Sequence, residues 1–476
     1  MTGKRGAPAV LSVSPTDSPR ATSKFTEKRE LILDGAARLF NRRGIKAGTL
    51  AEVAADVGLA TNSLTYYYRK KEDLVCACLL RSIAAIDQLI DQAAAAPTLA
   101  GRVSAFIHGF VSLMADVAEQ RRPELIFFGD MRALQRELAA PAFSAYEDMF
   151  RHLRRLLQPQ PAAGHSPTTT SATMTSASNS TSLNSRRALN ARTHLLLAQV
   201  LWSRAWLTRY EPADYPRAAQ AMADILLHGL AGPGQGWASS PLPAPTTPAP
   251  ADGDDALADA VGDAYLRTAT RLINDHGVGG ASVERIAAAL ALTKGSFYHH
   301  HDTKHGLVDA CFERSFALIR RVQLAALAQP GNGWQRLLAA SVPLVALQDP
   351  AQPGLPNPLL RLTAWTELPG ALRWGKFTSL NRLGERYATM VLAGMLDGSI
   401  RLVDPTVAAQ LVCGAVNALS EIGHWLPLAQ GDTTESTTPL VDLFARPLLL
   451  GLLATSPADT SPADPSPERR IPTGDI

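Results

Sequence analysis

Where apolar side chains cluster along this chain they recur three and four residues apart, and no stretch shows a convincing alternation of two. In residues 282–307, SVERIAAALALTKGSFYHHHDTKHGL, the positions Val283, Ile286, Ala287 and Leu290 fall at i, i+3, i+4 and i+7, the buried stripe of a helix. After a break at Ala291-Leu292 comes a second short helical piece rich in hydrogen-bonding groups, and Lys304 opens another apolar segment. Residues 49–74, TLAEVAADVGLATNSLTYYYRKKEDL, repeat this plan at a fixed offset of 233 (Lys71 to Lys304), with Leu50, Val53, Ala54 and Val57 as the stripe. From Lys28 to Ile86, 19 of 59 aligned positions are identical without a gap. The chain contains an internal duplication, and the repeated layout is a helix-turn-helix.

The same periodicity divides the rest. Residues 1–23, rich in Pro, Ser, Thr and Ala, read as a disordered arm. The first head is 24–74: a helix over 26–43 ending near Gly44, a second helix capped by Thr49 with Glu52 three residues on, a turn at Gly58, and a reading helix over 61–68. Helical segments fill 75–230, interrupted by a low-complexity insertion at 158–187 and closed by helices over 189–210 and 215–230. A Pro-rich linker spans 231–255. The second head is 256–307, with Tyr265, Ala269, Leu272 and Ile273 as its first stripe, Gly277 as the stop and Ser282 as the cap; Arg285 stands where the first copy has Glu52. A second helical body covers 308–454, and 455–476 is a Pro/Ser-rich tail read as disordered. The fold expected is all-α.

Bulk composition narrows the function. A chain of 476 residues exceeds one core, and 46% apolar residues can fill several. Net charge is +3, so affinity for nucleic acid must come from local placement. Residues 24–74 hold 10 Lys/Arg and 7 Asp/Glu, whereas 257–307 hold 5 of each, so the first head is the stronger electrostatic binder. Four cysteines (Cys76, Cys78, Cys311 and Cys413) suit a reducing compartment, and Cys76 and Cys78, inside an apolar helical run, read as packing residues. No apolar run approaches a membrane span and no signal-peptide core opens the chain, so a soluble, cytoplasmic protein with no membrane partner is expected.

The residues of both heads resemble the TetR family of bacterial transcriptional regulators. In the second copy Lys294, Gly295, Ser296, Phe297, Tyr298, His299 and Lys304 follow the family pattern; in the first, Tyr66, Tyr67, Tyr68, Lys71, Glu72, Asp73 and Leu74 do. Thr65 replaces the usual tyrosine, Ala60 lacks the usual capping hydroxyl, Ala291 replaces the turn glycine and His301 the usual aromatic. The resemblance implies two tandem units, each a three-helix DNA-binding domain followed by a helical ligand-binding and dimerisation domain. It further implies a double-stranded operator and a small-molecule effector as partners.

Reading DNA takes donors aimed at phosphates and a few side chains that reach base edges. Candidates in the first head are Thr49, Thr61, Asn62, Ser63, Thr65, Tyr66, Tyr67 and Lys71; in the second, Ser282, Lys294, Gly295, Ser296, Tyr298, His299, His300 and Lys304. Asn62 and Lys294 suit bases; Lys71 and Lys304 suit phosphates. Leu64 and Phe297 should face the core. The resemblance places an effector pocket among Phe106, Phe110, Phe127, Phe128, Tyr146, Trp334 and Trp365, although core packing also suits most of these aromatics. His301 and His305 stand four apart, but no acid or cysteine stands at a matching spacing and the first copy has tyrosines there, so no metal is expected. The histidines make the second head the pH-sensitive one. No nucleophile elbow, zincin helix, phosphate loop or dinucleotide fingerprint is present; no catalytic residue and no cofactor are expected, and a helical interaction scaffold is the remaining alternative.

Family members pair two chains through their last two helices. Here each copy has such a pair, and the Pro-rich stretch between them, at ~3.1 Å per residue, reaches about 80 Å against the ~35 Å between reading heads in successive major grooves. One chain can therefore act as a pseudo-dimer, with a dimer of chains as the alternative.

Overall fold

The computed structural model describes residues 19–45, 48–126, 128, 131, 134, 139–158, 177–237, 254–289, 303–349, 359–362, 364, 368, 370–422 and 439–454. Among them every regular element is helical, apart from one isolated antiparallel bridge between Ala231 and Ile400.

The first head consists of α1 (Pro19–Arg43), α2 (Leu50–Asp56) and α3 (Thr61–Tyr67). Ile32, Leu33, Ala36 and Phe40 form the inner face of α1, buried with Val53 and Ala54 of α2 and Leu64 of α3. The spacing predicts Ile32, Ala36, Leu39 and Phe40 as the inner face; all four are buried, and Leu33 joins them. Gly44, at φ 79°, donates its N–H to the Phe40 carbonyl at 2.8 Å and ends α1, while Gly58, at φ 67°, turns α2 into α3. The capping box forms: Thr49 Oγ1 accepts from the Glu52 N–H at 3.2 Å, and Glu52 Oε2 accepts from the Thr49 N–H at 3.0 Å. Helix α1 starts at Pro19 rather than Thr26 and so enters the stretch read as a disordered arm. No glycine separates that stretch from the helix behind it, so the helix propagates backwards.

The first body is α4 (Lys71–Ala94), α5 (Leu99–Ala118), α6 (Ala140–Leu156), α7 (Ala177–Leu207), a 3-10 turn at Pro212–Asp214 and α8 (Tyr215–His228). Helix α4 packs on α5 and α6, and α5 on α8. Helix α7 begins inside 158–187, because an Ala/Ser/Asn run can extend a helix that the apolar segment behind it anchors. The second unit repeats the order with α9 (Asp254–Gly280), α10 (Val283–Ala289), α11 (Lys304–Ala328), α12 (Gly333–Ala346), α13 (Gly370–Leu396) and α14 (Pro405–Ile422), closed by a π-helical turn, Val441–Ala445, that runs into α15 (Arg446–Leu450). Helix α9 is broken at Gly277, where φ is 73°, the stop the sequence implies. Three cysteines lie in these cores; burial pushes the thiols of Cys78 and Cys413 up to about 12 and that of Cys311 to about 11, which keeps them protonated packing groups.

The two units meet through their last helices. Helix α7 crosses α14, and α8 packs on both α14 and α15. Gln199 Nε2 donates to the Leu411 carbonyl at 2.9 Å in the buried crossing, and a Cβ on Gly414 would stand 2.5 Å from the Trp202 ring. At the ends of α8 and α15 two glycine turns interlock: Gly229, at φ 70°, and Gly451, at φ 96°, lie so close that a Cβ on either would come within 2.3 or 2.4 Å of the other segment's backbone. The Leu230 N–H donates to the Leu449 carbonyl and the Leu452 N–H to the Leu226 carbonyl, both at 2.8 Å. Arg401 pairs with Asp224 at 2.8 Å, and Arg217 with Asp404 at 2.9 Å. The start of the linker is docked on the second unit: the Gly232 N–H donates to the Ser399 carbonyl at 2.9 Å, and Trp237 Nε1 to Asp442 at 2.7 Å. These contacts hold residues 231–237 against the body instead of leaving them extended.

Candidate DNA interface

The first reading helix is two turns long and fastened mainly by Leu64, which is fully buried. Thr61, Asn62 and Ser63 are exposed along it, Thr65 and Tyr67 are half-buried, and Tyr66 is 76% exposed. The Thr65 hydroxyl donates to the Asn62 carbonyl at 3.0 Å, a bond within its own helix. Ala60 supplies no side-chain cap, as its identity implies. Thr49 is exposed at the start of α2, its hydroxyl within 2.9 Å of Glu52 Oε2. Those bonds hold the Glu52 carboxyl below the ordinary carboxylate range, with Arg43 adding attraction. Lys71, half-buried, opens α4 after the short connection that follows the reading helix.

Charge is distributed unevenly over this head. Arg42 pairs with Asp56 at 3.3 Å, Arg38 with the same carboxylate at 3.9 Å, and Arg43 with Glu52, so three of its cations are committed to the α1–α2 contact. Exposed Arg69 and Lys70 follow α3, and exposed Lys24 and Lys28 bracket Phe25, whose ring stacks on Tyr67 at 4.8 Å. An exposed helix with hydroxyl, amide and phenol groups, edged by cations, can address both phosphates and base edges.

In the second head Ser282 caps α10 by accepting from the Arg285 N–H at 3.2 Å, and Lys304 opens α11 after a Thr303 cap. Lys294, Gly295, Ser296, Tyr298, His299 and His300 lie outside the described residues, as do Phe297, His301 and the turn at Ala291.

Of the pocket candidates, Phe106 and Phe110 are fully buried on α5, and Tyr146 is buried edge-on to Phe128 at 5.6 Å. Trp334 is buried with its Nε1 donating to the Gly236 carbonyl at 3.3 Å; Phe127 and Trp365 lie outside the described residues. A half-open cleft of about 460 Å³ runs between α5 and α8, lined by His108, Ser112, Glu119, Arg121, Tyr215 and their neighbours. Sequence reading did not single these out, since one polar residue per helical turn on a surface carries no signal.

It also missed what fixes the angle of the head. Asn41, near the end of α1, donates to the Leu125 carbonyl at 2.8 Å and to Glu124 Oε1 at 3.1 Å. The Ile126 N–H donates to Ser82 Oγ at 3.0 Å, and Arg81 Nη2 to the Glu124 carbonyl at 2.7 Å. Segment 124–126 thus clasps α1 to α4. Asn41, Arg81 and Ser82 recur at the fixed offset as Asn274, Arg314 and Ser315. Polar identities inside apolar helices were the available clue.

The sequence model described as "Bacterial regulatory proteins, tetR family" matches the chain twice, over residues 32–78 and 266–311. The chain carries two TetR-type domains in tandem. Each match runs from the middle of a head's first helix to a cysteine about two turns into the helix that Lys71 or Lys304 opens, which covers the helix-turn-helix stretch in both copies. The TetR-type heads make the chain a DNA-binding transcriptional regulator. Among solved structures, similar chains include apo AibR, 26% identical, matched over 38% of this chain and 93% of that one with a TM-score of 0.30. AibR in complex with isovaleryl coenzyme A and operator DNA gives 27%, 38%, 94% and 0.32. The TetR family regulator PfmR from Thermus thermophilus gives 15%, 41%, 95% and 0.30. No curated protein matches by sequence. No helix among the described residues is long and apolar enough to cross a membrane.

Proposed function

We propose that this tandem TetR-type chain is a ligand-responsive repressor that works as an intramolecular pseudo-dimer. Its units are 24–230 and 256–454, and each presents one head to an asymmetric operator. The observation that carries the reading is the interlocked end of α8 and α15, where Gly229 and Gly451 exchange backbone contacts inside one chain. A pair of helices from each unit then does what two identical chains do elsewhere. The heads read different half-sites, because Thr61, Asn62 and Thr65 face Lys294, Gly295 and Tyr298 at equivalent places. In the first head Thr49, Ser63, Tyr66, Tyr67 and Lys71 hold the backbone of the DNA while Asn62 reads a base. In the second, Ser282, Ser296, Tyr298, His299, His300 and Lys304 take the backbone and Lys294 the base. The effector binds within a helical body and favours the spacing of heads that does not fit DNA; a ligand with equal affinity for both spacings shifts nothing.

Light scattering and a gel shift against the chain's own upstream DNA test this together. The expected result is a monomer near 50.8 kDa that binds a two-half-site duplex one to one. A tight dimer of chains on a palindrome would overturn the pseudo-dimer and leave one head in each chain idle.

A further inference from the structure

We infer that Phe25 is a positioning residue for DNA reading by the first head, holding Tyr66 in a fixed orientation through a three-ring stack. The inference rests on the assignment of α3 as the reading helix and goes beyond it, since Phe25 lies outside the helix-turn-helix. Helix α3 has two turns, no side-chain cap at Ala60 and one fully buried anchor, Leu64. So short a helix is not stable by itself, and its last turn needs a second attachment. The extended start of α1 supplies it. Phe25 lies nearly parallel to Tyr67, with centroids 4.8 Å apart and planes at 29°. Tyr66 stands edge-on to both rings, 5.4 Å from Tyr67 at 88° and 6.4 Å from Phe25 at 83°.

These are favourable aromatic geometries, and the block is otherwise open to solvent: Phe25 is 43% and Tyr66 76% exposed. A phenol that must meet DNA would lose rotamer freedom on binding; held in advance against the edge of two stacked rings, it has less to lose. The flanking exposed Lys24 and Lys28 place the block on cationic ground. At the fixed offset the second copy has Ala258, His299 and His300, so its sequence lacks the outer ring. The device belongs to the first head alone.

The test uses the full chain and a duplex selected from a random library, with Phe25→Ala, Phe25→Leu and Phe25→Trp compared by fluorescence anisotropy over a range of salt. Phe25→Ala and Phe25→Leu should weaken binding about three- to tenfold, the worth of one aromatic pair, with the salt slope unchanged. Phe25→Trp should restore most of the affinity. The loss should fall on duplexes carrying the first head's half-site and vanish when that half-site is scrambled. Lys71→Ala, run alongside, reports on the interface itself by weakening binding and flattening the slope. If Lys71→Ala behaves so while Phe25→Ala binds as the parent does, the positioning role is wrong and the interface stands. Equal losses on intact and scrambled half-sites, or Phe25→Leu behaving as the parent, would reduce Phe25 to apolar packing and overturn it too. If neither Lys71→Ala nor Phe25→Ala changes binding, the interface assignment fails and takes the inference with it.

Discussion

The two units hold their heads with the same joint and aim different heads with it. In the second unit Asn274 Nδ2 donates to the Leu359 carbonyl at 2.8 Å and the Leu360 N–H donates to Ser315 Oγ at 2.9 Å, matching Asn41 with Leu125 and Ser82 with Ile126. Cys78 Sγ lies 3.6 Å from the Leu33 carbonyl, and Cys311 Sγ 3.7 Å from that of Leu266. Arg81 pairs with Glu30 at 3.3 Å, and Arg314 with Asp263 at 2.8 Å. The joint survived divergence because most of its groups are buried or half-buried: losing one would strand its partner. The reading-helix positions changed instead: Thr61, Asn62, Tyr66 and Tyr67 correspond in sequence to Lys294, Gly295, His299 and His300.

What differs at the joint is its third attachment. In the first unit Arg204 of α7 donates to the Leu125 carbonyl at 2.7 Å and pairs with Glu124 at 3.2 Å, tying the inter-unit helix to the head; burial pulls its guanidinium down to about 10, and Glu124 opposes that. In the second unit the extra cation sits in the joint itself: Arg361, buried, donates its backbone N–H to Asn274 Oδ1 at 3.0 Å and its Nη1 to the Asn274 carbonyl at 3.4 Å. Arg373 of α13 also reaches across to the Arg42 carbonyl of the first head at 2.6 Å. The first head is therefore gripped from both units.

Removing that grip is the largest break available. Arg204→Met should destabilise the chain by about 2–3 kcal/mol, short of a fully buried pair because Glu124 keeps part of its carboxyl in water. Urea unfolding followed by circular dichroism checks it, and an unchanged midpoint would mean the joint does not need its third attachment. Next in size are the paired asparagines. Asn274→Ala should cost more than Asn41→Ala, each within about 1–3 kcal/mol, since Asn274 is buried and serves Leu359 and Arg361 with both ends of its amide. Equal losses would show that the two joints differ in drawing but not in energy.

Much of this architecture could be read beforehand. Helical periodicity and the offset of 233 located both heads, the stripe of Ile32, Ala36, Leu39 and Phe40, the Thr49–Glu52 box and the stops at Gly44 and Gly277. These are local features, set within a turn or two of the residues that cause them. The joint joins Asn41 to Leu125 across 84 positions through a backbone carbonyl, which any residue would supply. Nothing in the sequence near Leu125 marks it. Phe25 was missed for a related reason: a lone aromatic before a helix stripe gives no periodic signal, and only the fold brings it to Tyr67.

The heads can be compared directly on DNA. Lys71→Ala and Lys304→Ala should each lower the slope of log affinity against log salt by roughly 0.9 per phosphate contact removed. The first head's excess of cations predicts the larger loss for Lys71→Ala. Competition binding at several salt concentrations measures both. A larger loss for Lys304→Ala would reverse the electrostatic ranking of the heads.

The smallest difference lies in how the two heads respond to acid. Glu52 caps the backbone of Thr49, and the hydrogen bonds that hold its carboxyl below the ordinary range stabilise the ionised form. A depressed folded value means stability that is present above the unfolded value and lost as pH falls through the folded one. Arg285 occupies the matching place in the second head, so α10 has a Ser282 cap without a titrating partner. On acidification the first turn of α2 should therefore loosen while that of α10 does not. Hydrogen-exchange protection of the amides of Glu52 and Val53, set against those of Arg285 and Ile286 and corrected for intrinsic rates, measures it. In Glu52→Gln the pH dependence at α2 should disappear, because a neutral amide can still accept from the Thr49 N–H but cannot titrate. If protection at α2 falls with pH in that variant as it does in the parent, the acid response originates elsewhere in the head.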